Sequence, residues 1–121
     1  MRMLRLLVVL VGSVLLLPGV AQAHAFLRHA SPAVGSTLAT APPQLTLDFT
    51  EAVEPRFSAV EVRDPKGAQV DAGDLHVAPD NAKRLILGLK PLQPGAYKVI
   101  WHITSVDTHR TEGSFVFNVQ P

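Results

Sequence analysis

The chain predicts an all-β fold, a seven-stranded Greek-key sandwich of the immunoglobulin-like or cupredoxin-like kind. Three observations carry this. No segment beyond the first 23 residues sustains an apolar period of 3.6. Short stretches alternate apolar and polar side chains instead, as half-buried strands do. The breaks between them are rich in Pro, Gly, Asp and Asn, the residues that turn a chain between strands.

Ala25 to Ala30 forms a first strand that stops at Ser31-Pro32, and residues 32–43 form an irregular connection. Leu45, Leu47 and Phe49 alternate with Thr46, Asp48 and Thr50 in a strand with one buried face. Residues 51–55 break that run. Ser58 to Arg63 is a further strand with Val60 and Val62 on one side, and Asp64-Pro65-Lys66-Gly67 has the composition of a type I turn. A weak strand is expected near Gln69 to Asp71, and His76 is expected in a polar loop. Asp80-Asn81 turns the chain into a strand from Arg84 to Leu89. The strongest strand is Ala96 to Ser105, with Tyr97, Val99, Trp101 and Ile103 on one face and Trp101 central to the core. Ser114 to Val119 closes the domain with Phe115, Phe117 and Val119 inward.

The first 23 residues read as a cleaved signal peptide. Arg2 and Arg5 precede an apolar run from Leu6 to Leu17, Pro18-Gly19 breaks it, and Ala21-Gln22-Ala23 suits signal peptidase. The apolar run is too short to span a bilayer, which takes about 20 residues. Cleavage leaves residues 24–121 as one small domain in the periplasm or outside the cell, expected to be a monomer. It also removes two cations from 11 Lys and Arg, so that the domain's ten acids nearly balance its bases. No basic stripe or aromatic platform for nucleic acid is present, and no electrostatic case for an anionic membrane. The chain has no cysteine, which excludes a thiolate copper site and disfavours the usual cysteine-rich structural zinc.

Cleavage after Ala23 makes His24 the first residue. Its free α-amine and its own ring Nδ1 can chelate one metal, which an internal histidine cannot do. Asp107 and His109, at i and i+2 just past the strongest strand, can point to one side and add an oxygen and a nitrogen. Two nitrogens from His24, one from His109 and an oxygen from Asp107 suit the tetragonal preference of Cu(II), one ion per chain. The metal must displace the proton of the α-amine, whose ordinary pKa is about 7.7–8.0, so binding weakens as pH falls. His29, His76 and His102 read as surface residues, and Ser105 as no nucleophile.

The sequence resembles the periplasmic copper-resistance CopC family. The matching stretches are His24-Ala25-Phe26-Leu27, Ser31-Pro32-Ala33, Gly35-Ser36, Phe49-Thr50-Glu51-Ala52-Val53, the run from Trp101 to His109, and Gly113-Ser114-Phe115-Val116-Phe117. They span the expected mature chain. The resemblance implies a β-sandwich binding Cu(II) through His24, Asp107 and His109, with Glu51 beside the ion as an outer or weak ligand. It also implies a carrier or buffer role in copper homeostasis or resistance, alongside an inner-membrane copper transporter of the CopD type. One departure stands out. Some members carry a methionine-rich Cu(I) site, whereas Met1 and Met3 are the only methionines here and leave with the signal peptide. Soft thioethers select Cu(I), so that site is expected to be missing.

Two other functions compete with a non-enzymatic copper carrier. An N-terminal histidine with a second histidine is also the copper site of small oxidases that act on glycans. Against this, a domain of under 100 residues leaves little substrate face, and Asp107 would fill a position that oxygen chemistry needs. A metal-free sandwich used in adhesion or chaperoning is the other possibility. Copper should raise the melting temperature in the first two cases and leave it unchanged in the third.

Overall fold

A computed structural model describes residues 25–121. The elements are β1 (Leu27–Ser31), β2 (Thr37–Leu38), β3 (Gln44–Phe49), a 3-10 turn (Pro55–Phe57), β4 (Ala59–Arg63), β5 (His76–Ala78), β6 (Asn81–Gly88), β7 (Gly95–Thr104) and β8 (Arg110–Val119). Two four-stranded sheets face each other, one in the order β1-β3-β6-β5 and the other β2-β8-β7-β4. Every pairing is antiparallel except the short β2 on β8. With β2 left aside, four strands pack on three in the order of an immunoglobulin constant-type sandwich.

The alternation read from sequence is the alternation of burial. Leu45, Leu47 and Phe49 of β3 meet Tyr97, Val99, Trp101 and Ile103 of β7 and Phe115, Phe117 and Val119 of β8, all buried. Trp101 stands edge-on to Phe49 with ring centroids 5.4 Å apart. That pair joins the two strands which a disulfide joins in antibody domains, so an aromatic contact takes the place of the missing cysteines. Gly113 lies opposite Trp101 across the β7–β8 ladder, and the indole covers the space that a Cβ would need.

Several expectations need correction. The strands number eight, because the connection before Pro43 contains β2, held where Asn118 donates its backbone N–H to the Ser36 carbonyl (2.8 Å). No strand forms at Gln69–Asp71. Asp71 is buried, and its carboxylate accepts the N–H of Val62 (3.0 Å) and of Gly73 (3.2 Å), which bends that segment into two isolated bridges. His76 belongs to β5 rather than to a loop. Thr104, which alternation sets on the face opposite Trp101 and so outward, is buried because the Pro55–Phe57 turn covers it and the Phe57 carbonyl accepts its hydroxyl (2.8 Å). Strands β6 and β8 also begin earlier than read, at Asn81 and Arg110. Among the described residues no helix is long and apolar enough to cross a membrane.

Candidate metal centre

The β7–β8 hairpin closes through residues 105–109. Ser105 donates its backbone N–H to His109 O (2.9 Å), and Thr108 donates to Ser105 O (2.9 Å). Thr108 adopts φ 74°, the left-handed region that a non-glycine residue visits at a cost. Asp107 and His109 therefore do not lie on an extended segment, as the i, i+2 argument assumed. The loop nevertheless brings them together, with His109 Nδ1 3.1 Å from Asp107 Oδ2.

Ser105 completes the arrangement. Its side chain is buried, its backbone bridges to Val53, and its hydroxyl donates to Asp107 Oδ1. The carboxylate is thus held from both ends. The Ser105 hydroxyl first, and the His109 ring second, keep the Asp107 carboxyl below the usual carboxylate range. At neutral pH the carboxylate is therefore ionised, and it is already oriented beside the His109 imidazole. Sequence reading dismissed Ser105 as a nucleophile and missed this positioning role. Its hydroxyl donates to the Asp107 carboxylate and also lies 3.3 Å from the His109 backbone carbonyl.

The start of the described chain is pinned to the same end of the sandwich. Ala25 is fully buried, and its carbonyl accepts the Thr111 hydroxyl (2.6 Å), two residues beyond His109. Phe26 and Thr50 exchange hydrogen bonds, Thr50 N to Phe26 O at 2.9 Å and Phe26 N to Thr50 Oγ1 at 3.0 Å. Val106 donates to Ala52 O (3.0 Å). Glu51 therefore sits on a three-residue stretch with the N-terminal segment on one side and the 105–109 loop on the other, and it is exposed.

His24, like the expected signal peptide, lies outside the described residues. Among the described residues no three His, Asp or Glu side chains converge closely enough to hold an ion, so Glu51 does not join Asp107 and His109 as a third close group. The remaining histidines stand apart from the pair in sequence and in their contacts. His102 faces Glu112 across the outer side of β7 and β8 (3.1 Å), His76 Nδ1 lies 2.7 Å from the Asp74 carbonyl, and His29 is exposed opposite Asp48 on β1.

The described chain is thus a cysteine-free immunoglobulin-like sandwich with an Asp–His pair in the loop that joins β7 to β8. Residues 27–120 match the CopC domain, and the chain belongs to that family. It is 37% identical over 120 residues to protein YobA of Escherichia coli (strain K12), covering 98% of this chain and 96% of that protein. It is 30% identical over 113 residues to the copper transport protein CutJ of Bacillus subtilis (strain 168), covering 93% of this chain but 21% of that protein. Of solved structures, CopC from Methylosinus trichosporium OB3b aligns with TM-score 0.72 at 33% identity, over 81% of this chain and 95% of that one. PcoC, a methionine-rich copper resistance protein from Escherichia coli, aligns with TM-score 0.68 at 28% identity, over 81% and 100%. These likenesses make the chain a protein related to copper resistance and transport.

Proposed function

We propose that the chain is exported, loses Met1–Ala23, and carries or buffers one Cu(II) ion in the periplasm as a monomer. The ligands are the α-amine and ring of His24 with Asp107 and His109, and Glu51 stands outside them. One observation supports this most. The Thr111–Ala25 hydrogen bond fixes residue 25 beside Thr111 of β8, two residues from His109, and one peptide bond joins His24 to it. The donor set is nitrogen-rich with one carboxylate, which suits Cu(II). Residues 24–121 contain neither cysteine nor methionine, so nothing soft is present to select Cu(I), in contrast to a methionine-rich relative.

The reading is of a carrier, not an enzyme. Asp107 is held toward the site by Ser105 and His109 and would occupy a position that a copper oxidase leaves open to oxygen. The ion would pass to a membrane copper transporter of the CopD type. The test is a Cu(II) titration of the chain beginning at His24 beside the same chain with one glycine in front. Tight binding of one equivalent by the first, and weakening by orders of magnitude in the second, is the expected result. Equal binding would remove the α-amine from the site and with it this reading.

A further inference from the structure

The described residues expose five large hydrophobic side chains, Phe26, Val34, Phe57, Val106 and Val116. Two of them, Phe57 (67% exposed) and Val106 (62%), flank the end of β7 that carries the Asp–His pair. The Phe57 carbonyl takes the Thr104 hydroxyl, and Val106 lies between Ser105 and Asp107. Phe57 also walls a groove of about 510 Å³ whose other side chains include His102, Arg110, Thr111 and Glu112. The groove adjoins the site covalently and by hydrogen bonding, because Arg110 follows His109 and Thr111 holds Ala25. Exposed aromatics next to a concave surface are what protein interfaces use as anchors.

The charge around the groove narrows the occupant. Arg110 lines it and forms no ion pair among the described residues. The Arg56 guanidinium lies 5.9 Å from the Phe57 ring centroid and likewise forms none. With the groove's one acid, Glu112, turned to His102, Arg110 in the groove and Arg56 over the Phe57 ring fit a segment with an apolar side chain and acidic neighbours. The relationship to CutJ indicates where such a segment comes from. There a domain like this one accounts for about a fifth of a longer copper transport protein, so in that relative its neighbour is the rest of the transporter.

We infer that the Phe57–Val106 end and its groove dock an acidic, apolar extracytoplasmic segment of a copper-transport membrane protein, bringing that protein against the Asp107–His109 pair. This rests on the carrier reading and gives its handover a surface. The test places a photoactivatable phenylalanine at position 57, at position 106, or at Val34 as a control, in the full chain in its native cell. Adducts with one membrane copper-transport protein from 57 and 106 but not from 34 are the expected result. Phe57→Ser and Arg110→Glu should each cut the yield of the position-106 adduct by about tenfold, with Phe57→Ser still binding one Cu(II) in titration. Adducts only with a second copy of this chain, only with phospholipid, or with no copper-transport protein would overturn the inference. Loss of copper binding by the unsubstituted chain would instead strike the carrier reading, so the two failures are separable.

Discussion

Thr111 donates its hydroxyl to the carbonyl of Ala25 across 86 residues of sequence, at 2.6 Å. This one bond ties the start of the described chain to the strand that follows the Asp–His pair. Thr111 and His109 are two residues apart, so the bond holds Ala25 against the strand that begins just past the imidazole. Replacing Thr111 with valine keeps the volume and removes only the donor. The Ala25 carbonyl then loses its partner, at a stability cost of about 1 kcal/mol. Copper affinity should fall by more than that cost implies, on the order of tenfold as for groups that position metal ligands. Competition titration against a chelator of known affinity checks it, and unchanged affinity would show that this tether does not bear on the proposed site.

Ser105 controls when Asp107 titrates. Its hydroxyl is the first cause of the lowered Asp107 pKa, ahead of His109. Ser105→Ala removes that donor, so the carboxyl moves back up toward the ordinary value of about 3.9. The sign follows directly. A carboxylate that protonates at higher pH is lost as a ligand at higher pH, so copper release on acidification should begin earlier in the variant. Carbon-detected NMR titration of Asp107 and a parallel copper-release curve measure both effects. A Ser105→Ala protein whose Asp107 titrates as before would mean that His109 alone sets the carboxylate.

Much of the sandwich was legible because burial on one sheet face imposes a period of two. Leu45 to Phe49, Tyr97 to Ile103 and Phe115 to Val119 display that period, and all face the core. The short β2 has no such signal, since only two residues pair and their partners, Asn118 and Val119, lie 81 residues further on. The Gln69–Asp71 segment misled for a different reason. A buried carboxylate that accepts three donors outweighs local strand propensity. At the candidate site, Asp107 and His109 could be picked by residue type, and the structure brings them together. The supports Ser105, Thr111 and Thr50 could not be picked, because a hydroxyl carries no periodic signature and its partner is set by tertiary contact. His102 and Glu112 likewise looked unrelated in sequence and became neighbours only through the β7–β8 register.

Gly113 illustrates a constraint of packing that composition hides. A Cβ there would overlap Trp101 Cζ2 and lie 2.7 Å from Cε2, although glycine is otherwise a poor strand residue. Gly113→Ala should therefore destabilise the domain by about 2 kcal/mol or more, as overpacking does, despite the gain in strand propensity. The indole would have to leave its edge-on contact with Phe49. Urea unfolding followed by tryptophan fluorescence reads both the stability and the altered Trp101 environment, and a neutral or stabilising result would mean that the two sheets separate easily at this point.

Asp48 and Arg84 tie β3 to β6 through a two-pronged pair, Nε to Oδ1 at 2.7 Å and one terminal nitrogen to Oδ2 at 3.0 Å. The Arg84 hydrogen bond is the main reason that the Asp48 carboxyl sits below its ordinary range. A depressed carboxylate stabilises the fold above its unfolded pKa of about 3.9 and loses that contribution as pH falls through the folded value. Both side chains are partly exposed, so solvent and salt weaken the pair. Asp48→Asn should accordingly lower the melting temperature modestly at pH 7. Below about pH 4 the difference from the parent chain should shrink as Asp48 itself becomes neutral. Raising the salt to 1 M at pH 7 should shrink it too. A deficit that stays constant from pH 7 to pH 2 would assign the loss to packing of the amide and not to charge.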